Sequence, residues 1–351
     1  MLESRPVEIR TSPHLKRPQQ VDDIMRNVVW ALLPVAAFSV YQFGISALAL
    51  ILTTTGVAMA TEYGLARLGG RSNPLRDWSV VITGMLLALT LPPGFPLWMG
   101  AVAAFVAVAL GKALFGGLGY NVMNPALVGR AFVQAAFPVA ITTWTPAFAP
   151  GRFSEFIPST LALPLMKPEP VDAWIAGLEV DGFTGATPLA LQKFEQLTVS
   201  TTDLFTGMVA GSAGETSAAL IIACGLFLAF RRMLDWRIPV GVMAGAALTA
   251  LPFWLHDGQA FPSPVFVWFS GGLMLGAWFM ASDMIASPVT PWGALLYGAL
   301  IGILTVIIRL VGGLTEGVMY AILLANAASP LIAAATRSRV FGEVRRREDD
   351  A

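Results

Sequence analysis

The sequence has very few residues of the types that bind metals or form disulfides. Its 351 residues include one cysteine, Cys224, and two histidines, His14 and His256, which are far apart in the sequence. A single cysteine excludes an internal disulfide, and this set is too small for a zinc site or an iron–sulfur cluster held by this chain alone. Redox chemistry would therefore require an organic cofactor. We expect Cys224, which lies in an apolar run, to be buried and unreactive.

Charged residues are also scarce. They make up 13% of the chain, hydrophobic residues make up 56%, the mean hydropathy is +0.68, and the formal net charge is zero. This composition is typical of an integral membrane protein surrounded by lipid, and the balanced charge gives no reason to expect a nucleic-acid partner. Residues 1–27 are polar and basic without an apolar stretch, so we expect no signal peptide and a cytoplasmic amino terminus.

Apolar windows of about spanning length recur along the chain and predict an all-α membrane protein with about ten transmembrane helices. Five windows lie within residues 28–137 and five within residues 204–336, and residues 138–203 form one long loop between them. The windows are 28–42, 45–66, 78–91, 97–115, 123–137, 217–230, 238–255, 264–281, 292–310 and 318–335. Two groups of five are consistent with two inverted five-helix repeats, although the residues themselves give that hypothesis little support.

The distribution of Lys and Arg predicts the orientation of these helices. With the amino terminus inside, most of the 22 Lys and Arg fall on the cytoplasmic side, as the positive-inside rule requires. Both terminal segments, 1–27 and 337–351, are then cytoplasmic. The long loop 138–203 is therefore predicted to lie outside the cytoplasm.

The long loop contains the sequence Asp-Gly-Phe-Thr-Gly-Ala-Thr at positions 181–187. Its glycines permit a close approach of the backbone to a bulky planar group, although an ordinary turn has the same composition. The pattern resembles the acceptor motif of flavin transferases, which join FMN through its phosphate to the hydroxyl of the last Thr. Carried onto this sequence, that residue is Thr187, and the matching motif residues before it are Asp181, Thr184, Gly185 and Ala186.

Ionisable residues within or near the apolar windows are candidates for function. Arg130 lies well inside the fifth window, where a guanidinium requires a partner or an anion such as a phosphate or a reduced flavin. Asn124 precedes a proline at the mouth of the same window, where a broken helix would face a cavity. Asp283 is a candidate for binding a coupling cation, with a solvated turn as the alternative. Four others lie near window ends, and we expect them to reach water: Glu62, Asp77, Lys112 and Arg309.

The whole chain resembles a family of membrane proteins that includes the D subunit of the Rnf electron-transport complex and, more distantly, the B subunit of the sodium-translocating NADH:quinone oxidoreductase. The resemblance covers roughly residues 12–340. Besides the loop motif, it rests on Asn-Pro-Leu-Arg-Asp at 73–77, on Gly-Tyr-Asn-Val-Met-Asn-Pro-Ala-Leu-Val-Gly-Arg-Ala-Phe at 119–132, and on Ser-Asp-Met with Ser-Pro-Val-Thr-Pro at 282–291.

This resemblance implies a flavoprotein subunit of a redox-driven ion pump in the bacterial inner membrane, with the Thr187 loop in the periplasm. It implies covalent FMN at Thr187, maturation by a flavin transferase, and partner subunits that include another FMN carrier and iron–sulfur proteins. Electrons would pass between ferredoxin and NAD(H) while Na⁺ or H⁺ moves, and a noncovalent riboflavin is a further candidate cofactor. The alternatives are a channel or transporter of small neutral solutes, which would carry no redox cofactor, and a scaffold subunit whose partners hold the cofactors.

Overall fold

The computed structural model describes residues 20–70, 75–166, 168, 170–177, 187–215 and 217–337. Within these ranges the chain is helical and contains no β-strand. Thr187 is described, whereas the four motif residues Asp181, Thr184, Gly185 and Ala186 lie outside the described residues. Most of both terminal segments also lies outside them.

Five helices precede the long loop. They are α1 (Val21–Phe43), α2 (Ile45–Leu68), α3 (Ser79–Thr90), α4 (Leu97–Ala109), which is followed by a 3₁₀ turn at Ala113–Phe115, and α5 (Pro125–Ala136). Asn124 caps α5, because its side-chain oxygen accepts the N–H of Ala126 at 3.0 Å, and Pro125 takes the first helical position, where a missing N–H costs nothing.

The helices in the described part of the loop region are short. They are α6 (Pro138–Ile141), a 3₁₀ turn at Pro158–Leu161, α7 (Val171–Ala176), α8 (Pro188–Ala190), which continues as a π turn at Leu191–Glu195, and α9 (Thr201–Thr206). The second group follows as α10 (Ala218–Phe230), α11 (Arg237–His256), α12 (Pro264–Phe269), α13 (Leu273–Leu275), which continues as a π turn at Gly276–Met280, α14 (Pro291–Val311) and α15 (Val318–Ala335).

Six of the helices in the described ranges are long and apolar enough to cross a membrane: α1, α2, α11, α14, α15 and the segment Leu97–Phe115. Helices α3 and α10 are apolar but shorter. The membrane class is therefore supported by the structure, whereas ten spanning helices and an inverted repeat remain predictions. The halves pack against each other mainly through α1 on α10 and α5 on α15.

The window predicted as one helix at 264–281 is broken, which corrects that prediction. Helix α12 ends at Phe269, and Gly271 adopts a φ of +59°, which residues with a side chain rarely adopt. The break leaves carbonyl groups unpaired, and Arg309 of α14 donates to two of them, Val267 O and Ser270 O, each at 3.0 Å. Arg309 is thus buried rather than reaching water as expected, because the broken helix provides its acceptors.

Helices α11 and α14 cross in close contact because glycines line both surfaces. A Cβ atom on Gly302 would lie 2.2 Å from Val242 O, and one on Gly298 would lie 2.4 Å from Ile238 O. From the opposite helix, a Cβ on Gly245 would lie 2.3 Å from Ala299 O. The Gly-x-x-x-Gly pattern at 298–302 is therefore a helix-packing surface, as its sequence predicts.

We predict that Gly302→Ala destabilises the protein by about 1–3 kcal/mol, because the added methyl group forces the two backbones apart. The measurement is the thermal unfolding midpoint of the detergent-solubilised protein. Gly56→Ala is the matched control, since Gly56 is an exposed glycine of α2 with nothing within 4 Å of an added Cβ. An equal midpoint for the two variants would contradict the packing argument.

Candidate functional site

Thr187 lies at the start of α8 and faces the interior. Its hydroxyl oxygen accepts the N–H of Ala190 at 3.3 Å, and the residue is only 4% exposed. It lines a small cavity of about 20 Å³ together with Glu215, Glu316 and Gly271. The predicted FMN acceptor is therefore buried beside two carboxyl groups and beside the helix break that follows α12.

A buried cluster of charges lies next to this cavity. Arg130 Nη1 donates to Glu215 Oε1 at 3.1 Å, and Nη2 donates to a carboxylate oxygen of Glu316. Ser212 Oγ donates to Glu215 Oε2 at 2.7 Å. Arg130 Nε is buried and has no acceptor among the described residues. The partner that a guanidinium needs at this depth is thus provided by two glutamates, and one N–H of Arg130 remains available for another anion.

The segment that follows Thr187 is held against the end of α14. Lys193 Nζ donates to Arg309 O at 2.9 Å, to Leu314 O at 3.1 Å and to Gly312 O. These carbonyls belong to the carboxyl end of the helix, which attracts a cation. Lys193 therefore fixes the position of Thr187 relative to the same helix that carries Arg309.

A second cavity, of about 330 Å³, opens beside the charge cluster. Arg130 and Glu316 line it together with two aromatic side chains, Trp144 and Phe194, and with Ala190. Glu316 also lines the cavity beside Thr187, so the two spaces share this wall residue.

The other predicted candidates meet in a third cavity, which has a volume of about 90 Å³. Asn124 and Asp283 both line it, and Asn124 Nδ2 donates to Met280 O at 3.2 Å. Two buried polar atoms on its walls, Asn121 Oδ1 and Trp278 Nε1, have no hydrogen-bond partner among the described residues. A cavity with mostly apolar walls and unsatisfied polar atoms has the features of a ligand site.

Lys112 lies on the wall of this third cavity and is buried. The prediction that it reaches water is therefore wrong. It is 1% exposed, and its ammonium nitrogen lies 2.6 and 2.8 Å from the two carboxylate oxygens of Glu62 and 2.6 Å from Ser79 Oγ. Glu62 comes from α2, and Lys112 follows α4. The two charges stay inside because each neutralises the other, and because Lys112 gains a hydroxyl acceptor as well.

Comparison with known proteins identifies the family. The chain matches the sequence model of the NQR2, RnfD, RnfE family over residues 8–342. The chain belongs to this family.

Curated relatives in the NQR2, RnfD, RnfE family cover nearly the whole chain. The chain is 40% identical over 338 residues to the D subunit of the Na(+)-translocating ferredoxin:NAD(+) oxidoreductase complex of Acetobacterium woodii. This match covers 95% of each of the two chains. It is 37% identical over 334 residues to the D subunit of the proton-translocating ferredoxin:NAD(+) oxidoreductase complex of Clostridium ljungdahlii, covering 95% of this chain and 96% of the relative. A third relative, the D subunit of the ion-translocating oxidoreductase complex of Alcanivorax borkumensis, is 36% identical over 341 residues, with the same coverage of 95% and 96%.

This member of the NQR2, RnfD, RnfE family has functional candidates that motif reasoning missed. Glu215 and Glu316 were not predicted, and neither was the pairing of Glu62 with Lys112. The sequence does show that both glutamates lie next to apolar windows. Glu215 lies two positions before the window 217–230, and Glu316 lies between the windows 292–310 and 318–335. A lone acid beside an apolar window in a chain with 13% charged residues is a reason to look for a buried partner.

Burial raises the pKa of Glu215 to about 8; the neighbouring Glu316 raises it further and Arg130 opposes the shift. Because this pKa lies above the ordinary value of 4.5, the protonated carboxyl group stabilises the fold. That contribution is complete below the ordinary pKa and is lost as the pH rises through the folded-state pKa. The relevant window is therefore between 4.5 and about 8.

We predict that the thermal unfolding midpoint falls as the pH rises through this window, and that Glu215→Gln flattens the slope because an amide does not titrate. The measurement is thermal unfolding of the detergent-solubilised protein at a series of pH values. Glu155→Gln, at an exposed position, serves as the control and keeps the native slope. A slope in Glu215→Gln as steep as that of the native protein would refute the assignment.

Proposed function

We propose that this chain is a membrane subunit of an ion-translocating ferredoxin:NAD⁺ oxidoreductase complex and that it relays electrons within that complex. The observation that carries the proposal is its 40% identity, over 95% of both chains, to the D subunit of such a complex. One relative is named as a subunit of a sodium-translocating complex and another as a subunit of a proton-translocating complex. The coupling ion of this protein is accordingly Na⁺ or H⁺.

We further propose that Thr187 carries FMN through an ester bond between its hydroxyl oxygen and the FMN phosphate. FMN supplies one- and two-electron transfer when it is bound. The fit rests on the loop motif, on the cavity that Thr187 lines and the neighbouring cavity that shares Glu316 with it, and on Arg130 Nε, which has no acceptor among the described residues and is suited to a phosphate oxygen. In this proposal, Arg130 binds the anion and Lys193 holds the segment in place.

The attachment requires the segment around Thr187 to open. The hydroxyl group is buried and occupied by the N–H of Ala190, so a flavin transferase cannot reach it in this conformation. We propose that the transferase acts before Lys193 docks on α14. In this proposal the transferase recognises the preceding motif residues Thr184, Gly185 and Ala186, and Asp181 positions the phosphate or its metal ion during attachment.

We propose that the cavity containing Asn124 and Asp283 binds a second, noncovalent flavin such as riboflavin. The two unpaired polar atoms, Asn121 Oδ1 and Trp278 Nε1, match a ring edge that offers both N–H and C=O groups. Asp283 on the same wall is the candidate for the coupling cation. Ion affinity at Asp283 and the charge on the ligand would then influence each other reciprocally.

The proposed location is the bacterial inner membrane, with both termini cytoplasmic and the Thr187 loop periplasmic. The argument is the distribution of Lys and Arg along the chain. The proposed partners are the other subunits of the complex, including a second FMN carrier and iron–sulfur subunits, together with the transferase and membrane lipid.

We predict that Thr187→Ala abolishes in-gel flavin fluorescence of this subunit after denaturing electrophoresis. Native and variant chains are both co-expressed with a flavin transferase, and Thr202→Ala, at an exposed position of α9, is the control that keeps the fluorescent band. Loss of the band in Thr187→Ala alone supports the ester. Absence of fluorescence in the native chain would disprove the covalent flavin and favour a transporter without a redox cofactor.

We predict that acid extraction of the purified complex releases a flavin that Thr187→Ala retains and that Thr83→Trp loses. Thr83 lines the third cavity, so the added indole fills the proposed flavin space. Leu52→Trp is the matched control, because Leu52 is 64% exposed on α2. Chromatography with fluorescence detection measures the flavin. Equal flavin in the Thr83 and Leu52 variants would place the flavin elsewhere.

A further inference from the structure

The third cavity contains an ammonium group that the electron-relay proposal does not use. Among the described residues that line this cavity, Lys112 and Asp283 are the charged ones. Asp283 is the candidate for the coupling cation. Lys112 is the cationic side chain on these walls, and its burial places it in a region where a charge acts strongly on its neighbours.

The ammonium group of Lys112 is shared among protein acceptors. Both oxygens of Glu62 and the hydroxyl oxygen of Ser79 lie within 2.8 Å of its nitrogen. Ser79 Oγ in turn donates to Asp77 Oδ1 at 2.7 Å, which fixes the hydroxyl orientation so that its lone pair faces Lys112. Glu62 therefore offsets much of the positive charge that Lys112 presents to the cavity.

We propose that Lys112 stabilises the negative charge that a planar aromatic ligand in this cavity acquires on reduction, and that Glu62 limits this stabilisation by sharing the same ammonium group. The proposal rests on the noncovalent flavin proposed above. Lys112 is then a positioning and charge-tuning residue, and the balance between Lys112 and Glu62 sets the reduction potential of the ligand.

The ligand class follows from the walls of the cavity. Trp278 and Phe279 provide flat apolar surfaces, and Asn121 Oδ1 and Trp278 Nε1 provide one unpaired acceptor and one unpaired donor. A planar heterocycle with both N–H and C=O groups on one edge satisfies these atoms. Such a ring gains electron density when it is reduced, and the ammonium group on the wall favours that form.

This arrangement predicts shifts of opposite sign for two neutralising substitutions. Lys112→Gln removes the cation and lowers the midpoint potential of the ligand. Glu62→Gln removes the competing carboxylate, leaves more of the positive charge for the ligand, and raises the potential. A merely structural role for the pair predicts the same outcome for both, because either substitution breaks the same ion pair.

The experiment uses the purified complex with Thr187→Ala in this chain, so that covalent flavin does not contribute to the signal of this subunit. The acid-extractable flavin is quantified first, and the bound flavin is then titrated with dithionite and mediators while its absorbance is followed. The same titration of the Thr187→Ala, Thr83→Trp complex, which lacks this flavin, is subtracted to remove the signal of the partner subunits. We expect at least a tenfold change in the reduced-to-oxidised ratio in each variant, in opposite directions, which corresponds to about 30 mV for a two-electron couple. The matched controls are Arg232→Gln and Glu155→Gln, which remove an exposed cation and an exposed anion outside the cavity and leave the potential unchanged.

The outcomes separate this inference from the proposal on which it rests. No extractable flavin in the parent complex, with Lys112 and Glu62 intact, would refute the second flavin itself. Bound flavin whose potential shifts in the same direction in both variants, or in neither, would overturn the role of Lys112 and leave the flavin site standing. If Lys112→Gln does not assemble, Glu62→Gln decides: an upward shift supports the inference, and an unchanged or lower potential rejects it.

Discussion

Buried charges and open backbone groups must find partners inside the protein, because hydrocarbon offers none. The break after α12 is the point at which this constraint organises the structure. Arg309 satisfies the freed carbonyls of Val267 and Ser270, and Lys193 satisfies those at the end of α14. The segment that begins at Thr187 is thereby tied to the broken helix. A defect in one helix thus determines where the proposed flavin acceptor lies.

The charge cluster beside this break is electrically neutral only when both of its carboxyl groups are ionised, and burial favours the protonated form of Glu215. Arg130 forms ion pairs with Glu215 and Glu316. Arg309 also interacts electrostatically with both carboxyl groups. Two guanidinium groups and two carboxyl groups can be buried together because their mutual attraction offsets part of the desolvation free energy, which a single buried charge would leave uncompensated. A phosphate added at Thr187 would disturb this balance, and the elevated pKa of Glu215 allows a proton to compensate for it.

Close helix packing and open cavities occur in different parts of the molecule. The glycines of α11 and α14 bring two backbones into contact and make a rigid unit in the second half. The cavity with Asn124 and Asp283 lies where the two halves meet, and its walls come from both. A ligand there contacts both halves, so its charge can affect how they interact.

The sequence by itself determined the membrane class, the helical content, the packing role of Gly298 and Gly302, and the candidate acceptor Thr187. These follow from hydropathy, from glycine spacing and from a local motif, which are all encoded in neighbouring residues. Tertiary structure alone decided that Arg309 caps a broken helix, that Arg130 pairs with Glu215 and Glu316, and that Lys112 is buried against Glu62. Window hydropathy treats every charge near a helix end as free to reach water. Whether it does depends on which groups another segment, 39 or more residues away in the chain, places beside it.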